Sequence, residues 1–467
     1  MSRSAFGWVG VGVWLVVGLC PWLHAQTDTL TLDTFLARVA RYHPVAQVGR
    51  SFVDLAAAEL RIARGGFDPV LAGSFNEKVF KDQLYYNKRG LELKAPLGGL
   101  ADISGGYERN TGEFINPESS TTGGSLVYAG VTVPLLRGLI TDDRRVALQQ
   151  ARLLPQLGSA ERLKLVNKLL LDAGKAYWLW WLAGENLRVQ TQGVALAEFR
   201  LRAVATSIAN GDRAPIDSVE ALNEVRLRQV QQIEAQLLAD NARLALETFL
   251  WAPDLAPAQL GPQTLPTLAH ATPEYPLDSL ANFALANHPE LRAQRIKLEQ
   301  LGFELTLARQ NLLPQLDATY KPYLLSQGNS SALAENYRLG LSLYFPLFLR
   351  KERGKLQATR VKVSQQESVL TDLVRDRLVG LQAADNSFLA LNQIQAAQAD
   401  QLRQSQTLLQ GETTMFQNGE SSLFLINQRE RAVLSAQTKL LEVQAKRNQS
   451  VLERLFAAGW PLAPLPD

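Results

Sequence analysis

The amino-acid sequence predicts an α+β fold in which one unit of about 200 residues is present twice, too long for a solenoid repeat. Three observations carry this. First, Leu32-Asp33, His43-Pro44, Arg50, Glu59-Leu60, Ala63-Arg64 and Pro69 recur without a gap as Leu277-Asp278, His288-Pro289, Arg295, Glu304-Leu305, Ala308-Arg309 and Pro314, an offset of 245 (277 − 32). Val133-Pro134-Leu135 returns as Phe345-Pro346-Leu347, and Asn210-Gly211 as Asn418-Gly419. Second, apolar residues repeat every seven over long stretches. Third, each copy switches to a two-residue period before its long stretch. Each unit therefore reads helix, β-strands, very long helix, Asn-Gly turn, return helix.

The chain starts as an exported one. Arg3, the apolar stretch Phe6 to Leu19 and Leu23-His24-Ala25 before Gln26 form a secretory signal over 1–25. A transmembrane anchor is the alternative, but the run is short and Gly-rich. Cys20 raises lipid attachment, which Leu19 and Pro21 beside it fit poorly. It is the only cysteine, so cleavage after Ala25 leaves no thiol or disulfide. Past Leu19 no apolar run approaches the ~20 residues of a membrane-spanning helix. The protein is then either soluble in the periplasm or crosses a membrane as β-strands, which alone satisfy the backbone in lipid. The net charge of +3 and the lack of a basic stripe argue against nucleic acid.

Residues 26–251 form the first unit, with strands near 70–134 and a helical hairpin near 138–251. Val70 to Phe80 and Ser125 to Val133 are its outer strands, with an extra hairpin, Arg89 to Ala95 and Asp102 to Arg109, turning at Leu97-Gly98-Gly99. This hairpin explains why the offset falls from 245 to 212 (345 − 133), a surplus of 33 residues. A Pro-rich connector over 252–276 wraps the outside of the helical wall. The second unit covers 277–459, with strands at Gln315 to Leu325 and Tyr337 to Phe345 around a polar turn, Ser326 to Glu335, and a hairpin near 350–457. Leu339, Leu341, Leu343 and Phe345 share one face; Arg338, Gly340, Ser342 and Tyr344 share the other. The tail 460–467 is expected to be disordered.

The long helices carry Val166, Ala173, Trp180, Leu187, Val194, Leu201 and Ile208 in the first unit. The second matches them 208 residues later with Val374, Leu381, Phe388, the polar break Gln395, Leu402, Leu409 and Phe416. Arg350 to Gln417 has no proline and would be about 100 Å long. After each Asn-Gly the chain returns, from Asp217 to Trp251 and from Leu423 to Phe456, with Val230, Leu237, Leu244 and Trp251 again seven apart. Few charges interrupt these helices, which favours a closed wall of helices over an isolated coiled-coil hairpin. Helices on one side of a membrane need an even strand count per unit. Four to six strands cannot close a barrel alone, since the smallest has eight, so a barrel requires several chains.

With the duplication, the strand pairs, the proline-ended strands and the heptad hairpins in place, the chain resembles the TolC family of outer membrane efflux proteins. The likeness runs from about Thr31 to Gly459, carried by the duplicated His-Pro helix and by Val133-Pro134-Leu135-Leu136-Arg137-Gly138 leading into a helix. It implies a homotrimer sharing one outer membrane β-barrel, embedded in outer membrane lipids and continuous with a hollow periplasmic α-helical barrel. It also implies two partners, a periplasmic adaptor and an inner-membrane transporter. In the family, acidic side chains after the tip glycine constrict the pore. Here the matching positions are Asp217 and Glu220, and in the second unit Leu425 and Gln428, which depart from the acidic pattern; Phe416 could narrow the mouth or simply pack. The alternative for Asp217 and Glu220 is a first helical turn of acids complementing the helix dipole. Ile208, Asn210, Gly211 and Asp212, with Asn418, Gly419 and Glu420, correspond to adaptor-docking tips.

The extra hairpin either widens the barrel to eighteen strands or folds outside a twelve-stranded one. No metal site is expected: His24 leaves with the signal, His43 and His288 cap or pack before Pro44 and Pro289, and His270 sits in a loop. No nucleophile–base pair, phosphate loop or cofactor motif appears, so the chain is not read as an enzyme. The reading is an exit duct of a tripartite efflux system. Its alternatives are the exit duct of type I protein secretion and, from another class, a periplasmic coiled-coil scaffold.

Overall fold

The computed structural model describes residues 29–121, 124–211, 213–261, 264–268, 275–325 and 336–464. The signal segment with Cys20, His270 and the polar turn 326–335 lie outside them. The first unit comprises β1 (Thr29–Leu30), α1 (Leu32–Tyr42), α2 (Pro44–Gly65), β2 (Val70–Phe80), β3 (Gln83–Leu97), β4 (Ala101–Thr111), β5 (Leu126–Pro134), α3 (Asp143–Ala209) and α4 (Ile216–Glu247). After β6 (Leu265–Pro266), the second comprises α5 (Leu277–Asn287), α6 (Pro289–Gln310), β7 (Gln315–Leu325), β8 (Tyr337–Tyr344), α7 (Arg350–Gln417) and α8 (Leu423–Ala457).

The His-Pro pair divides the opening helix of each unit in two. Pro44 and Pro289 occupy first-turn positions, where the missing N–H costs nothing. His43 Nδ1 accepts from Val45 N at 3.1 Å, and His288 Nδ1 from Glu290 N at 3.3 Å, so each histidine caps the helix it precedes. Burial lowers the pKa of His43 and pushes that of His288 down to about 4, keeping both imidazoles neutral acceptors. The return helix of each unit ends on this cap. Trp251 meets His43 edge-on at 6.0 Å, and the backbone at Gly459, 208 residues later, lies against His288.

Helix α3 has 67 residues and α7 has 68, each about 100 Å long. The first starts later than the sequence suggests, at Asp143 rather than near 138. Gly138 takes φ +92°, residues 135–142 turn, and Asp142 Oδ1 caps Arg145 N at 2.7 Å. Arg145 in turn donates to the carbonyls of Gly138, Leu139 and Ile140, the last two at 3.1 Å. Helix α3 packs on α2, α4, α6 and α8, and α7 on α6 and α8. The predicted heptad residues of α3 and α7 are buried or half-buried along this seam. Those of α4 are not: Val230, Leu237 and Leu244 are exposed, and Ala221, Val225 and Ala235 make its packed face. No helix among the described residues is long and apolar enough to cross a membrane.

The main core is a collar midway along the helices. Leu32, Phe35, Leu36 and Val39 of α1 pack on Leu170, Tyr177, Trp178 and Trp181 of α3, with Leu246, Leu250 and Leu452. Tyr177 Oη lies 2.8 Å from Leu30 O and accepts from Thr267 N at 3.0 Å, holding the short parallel pair β1–β6 and the connector against the wall. The tail is not loose at its start. Trp460 stacks on Phe283 at 4.4 Å and Tyr275 at 4.7 Å, and Ala463 is buried in the collar.

The strands form one six-stranded antiparallel sheet in the order β2-β3-β4-β5-β7-β8. The extra hairpin is longer than its central pattern suggested, and β2 pairs with it rather than with β5. Register places Leu71, Phe75, Leu91, Leu93, Ile103, Tyr107, Val127, Val131, Tyr320, Leu339, Leu341 and Leu343 on one face. Lys88, Glu92, Lys94, Asp102, Ser104, Glu108, Thr132, Asp317, Lys321 and Arg338 lie on the other.

Candidate functional site

Both helical hairpins end in the same turn at the pole remote from the sheet. Asn210 and Asn418 stay right-handed (φ −82° and −81°), and Gly211 and Gly419 turn left-handed at φ +83° and +80°. Only the glycine uses the left-handed freedom, which a side chain would oppose. Gly211 N donates to Ile208 O at 3.0 Å and Gly419 N to Phe416 O at 3.1 Å, closing the last helical turn identically. Asn210, Gly211, Asn418, Gly419 and Glu420 are exposed, and Ile208 is half-buried; Asp212 lies outside the described residues.

Just behind the tips, Val204, Ala221 and Leu423 form a small apolar core, with Leu201, Ile208 and Phe416 at its edge. Phe416 therefore packs. The Arg213 guanidinium lies 4.1 Å from its ring centre and 3.6 Å from Asp217, bridging the two tips. On the second tip, Glu412 is buried, accepts from Ser421 Oγ and lies 3.5 Å from Arg429 Nε. Leu425 and Gln428 are exposed and join neither cluster.

Deeper along the hairpins lies a polar cluster joining α3, α4 and α8. Glu220 accepts from Asn427 Nδ2 at 3.2 Å. Glu224, 4% exposed, pairs with the equally buried Arg228 at 2.7 Å and accepts from Arg431 Nε at 3.1 Å. Arg200 of α3 pairs with buried Glu430 and reaches Asn427 Oδ1 at 3.5 Å. Buried charges of this kind require their partners, because an orphaned one costs several kcal/mol. Of the sequence-selected residues only Glu220 belongs to this cluster. Arg200, Glu224, Arg228, Asn427, Glu430 and Arg431 were not selected, although charges at i, i+4 on a face otherwise built from Ala, Val and Leu are a readable signal.

The relatives are consistent with this geometry. The family described as "Outer membrane efflux protein" matches residues 280–458, the whole second helical hairpin and the sheet strands before it. The crystal structure of the outer membrane protein VceC from Vibrio cholerae superposes with a TM-score of 0.64, covering 92% of this chain and 96% of that one at 16% identity. The second unit thus carries the likeness to the outer membrane efflux protein family. The chain is also 22% identical over 390 residues to the cobalt-zinc-cadmium resistance protein CzcC of Cupriavidus metallidurans, covering 77% of this chain and 88% of that one. It is 30% identical over 191 residues to the alkaline protease secretion protein AprF of Pseudomonas aeruginosa, 39% of this chain and 38% of that one. The α+β duplicated unit is thus the fold of solved outer membrane channel proteins.

Proposed function

We propose that the protein is an outer membrane efflux channel, three copies of which form the exit duct of a tripartite system, receiving substrate from an inner-membrane transporter through a periplasmic adaptor. The observation that carries this is one continuous object: a sheet with an apolar face and two unpaired edges, leading into ~100 Å helices that end in two matched tips. Three sheets joined edge to edge remove those edges, as closure of a barrel does. The tips Ile208, Asn210, Gly211 and Asp212, with Asn418, Gly419 and Glu420, are the adaptor-docking points. The fixed glycine turn offers each adaptor hairpin the same backbone shape twice. Asp217 and Glu220, repeated around a threefold axis, give acidic rings at the constriction, with Leu425 and Gln428 completing its lining and Phe416 packed behind it. The chain has no catalytic role in this reading, and it needs no cofactor.

The experiment is conductance of the full-length trimer in a planar lipid bilayer. Discrete steps with cation preference are the expected result, and Asp217→Asn with Glu220→Gln should reduce that preference several-fold. An inserted channel whose selectivity ignores both substitutions would remove them from the pore. The likeness to AprF favours a second cargo class, secreted protein, through the same duct. Loss of an extracellular protein rather than small-molecule accumulation in a deletion strain would select it.

A further inference from the structure

We propose that the inserted β3–β4 hairpin stands in the membrane wall, so that three chains close an eighteen-stranded barrel with lipid acyl chains against both inserted strands. This rests on the trimeric-channel reading and deepens it. Four strands per chain would suffice for a closed barrel of twelve, and the hairpin could then fold away from the sheet. Three features of the structure place it in the wall instead.

The first is pairing. β2 bonds to β3 along its length and β4 to β5, so displacing the hairpin would strip β2 of its only strand neighbour among the described residues. At 11 residues, β2 and β4 have the length of membrane-crossing strands, and β3 exceeds it.

The second is the faces. Leu91, Leu93 and Ile103 continue the apolar face formed by Leu71 on one side and Val127, Tyr320, Leu339 and Leu341 on the other; its apolar rows end at Phe75, whose partners across β3 and β4 are Arg89 and Arg109. Lys88, Lys94, Asp102 and Glu108 continue the polar one. A hairpin lying outside the membrane would need no such alternation in phase with the rest of the sheet.

The third is a clasp across the polar face. Tyr128 of β5, 6% exposed, lies flat over Gly106 of β4, where a Cβ would meet its ring at 2.3–2.6 Å. Lys321 of β7 sits 4.8 Å from the centre of that ring and 3.9 Å from Glu92 of β3. One row of side chains thus ties the inserted strand β3 to β7 across β4 and β5. At the far end, Phe80, Tyr85 and Phe114 cluster, with Tyr85 and Phe114 stacked at 4.5 Å and Lys78 over Tyr85 at 5.0 Å. Aromatic residues with flanking lysines are the composition of a membrane-interface girdle. Barrel diameter grows roughly linearly with strand number, so eighteen strands give about 1.5 times the diameter of twelve.

The test is a single-cysteine scan of the full-length protein in lipid vesicles, with Cys20 replaced by Ser and a membrane-impermeant maleimide as probe. Labelling should alternate: Lys88→Cys, Lys94→Cys and Glu108→Cys at least tenfold faster than Leu91→Cys, Leu93→Cys and Ile103→Cys. Ser342→Cys against Leu341→Cys on β8 reports the wall itself. Alternation on β8 with uniform fast labelling on β3 and β4 would overturn the proposal and leave the channel reading standing. Uniform labelling on both would overturn both. Electron microscopy of the same trimers should count eighteen strands, and a count of twelve would also overturn the proposal.

Discussion

Neutralising Glu224 should loosen the periplasmic ends of the hairpins while leaving the collar intact. The carboxylate is buried between Arg228, 2.7 Å away and equally buried, and Arg431, whose side chain is about half exposed. At an effective dielectric of ~20 a charge pair at this range is worth about 4 kcal/mol. Arg431 retains its water and is discounted on that ground. Arg228 cannot, and stranding a buried charge costs about 3–5 kcal/mol. Taking about 3–4 kcal/mol, Glu224→Gln should favour local opening of α4 from α8 by about 140- to 700-fold, given that 1.4 kcal/mol is tenfold. The glutamine keeps shape and an acceptor, so the change isolates the charge. Hydrogen exchange of the intact protein reads it directly. Amides in 216–231 and 423–434 should exchange faster, and those in 169–181 of the collar should not. Glu224→Leu combined with Arg228→Leu, which removes both buried charges, should restore much of the protection. Wild-type exchange in the tip segments of Glu224→Gln, or equal acceleration in the collar, would refute the assignment of this cluster as the fastening between hairpins.

Other expectations follow from single contacts. His288 is held neutral in the fold, with its pKa pushed down to about 4 by burial, while the unfolded side chain titrates near 6.5. Its contribution is therefore complete above about pH 6.5 and is lost as pH falls toward 4, up to about 3 kcal/mol. Thermal denaturation of His288→Asn, which keeps a neutral cap, should show a flatter pH dependence over that window. Trp178→Ala empties the centre of the collar, where the ring meets Tyr177 at 5.3 Å and Trp181 at 6.0 Å, and should cost about 3–5 kcal/mol, seen as a lowered heat-dissociation temperature of the extracted oligomer. Gly419→Ala has open space for its methyl group but must hold φ near +80°, a strain of about 1–2 kcal/mol. Adaptor affinity should fall about tenfold with the rest of the fold unchanged, and unchanged affinity would remove this tip from the docking surface.

The fold was legible because its largest features are written in local chemistry. Arg350–Gln417 follows from the heptad run, and Leu423–Ala457 from the return after the Asn-Gly pair. The strands follow from alternation, even in the inserted hairpin, whose ends Tyr86 and Thr111 fell outside the clean pattern but inside the ladder. What local pattern could not supply is which of two apolar stripes a helix buries. Val230, Leu237 and Leu244 keep a perfect seven-residue spacing yet face outward, because small residues, Ala221 and Ala235, let α4 approach α3 closely. The start of α3 was misjudged for a related reason: Arg145 caps three carbonyls backward, a contact that spacing does not announce. Of the buried cluster around Glu224, the i, i+4 pair with Arg228 is local, whereas the contact with Arg431, 207 residues away, belongs to tertiary structure.

The outward stripe on α4 and the leucines of β8 bear on the same question. Val230, Leu237 and Leu244 are each more than half exposed, as are Val361 and Val379 on α7, and Leu339, Leu341 and Leu343 on β8 are about 70% exposed. The two sets differ in what can cover them. Helix stripes at heptad spacing are complementary to another such helix, which buries them in long side-by-side packing. The β8 leucines stand on a face whose neighbours are also apolar and whose opposite side is charged, a pattern that suits hydrocarbon rather than a second protein surface. A single chain therefore carries one set of surfaces suited to its own copies and another suited to lipid. The boundary between them falls where the strands give way to α3 and α7. Arg144 pairs with Asp102 at 3.2 Å at that level, joining the first turn of the helical wall to the first turn of the inserted hairpin. An insertion merely appended to the sheet would have no reason to share that junction, whereas one built into the wall must meet the helices there.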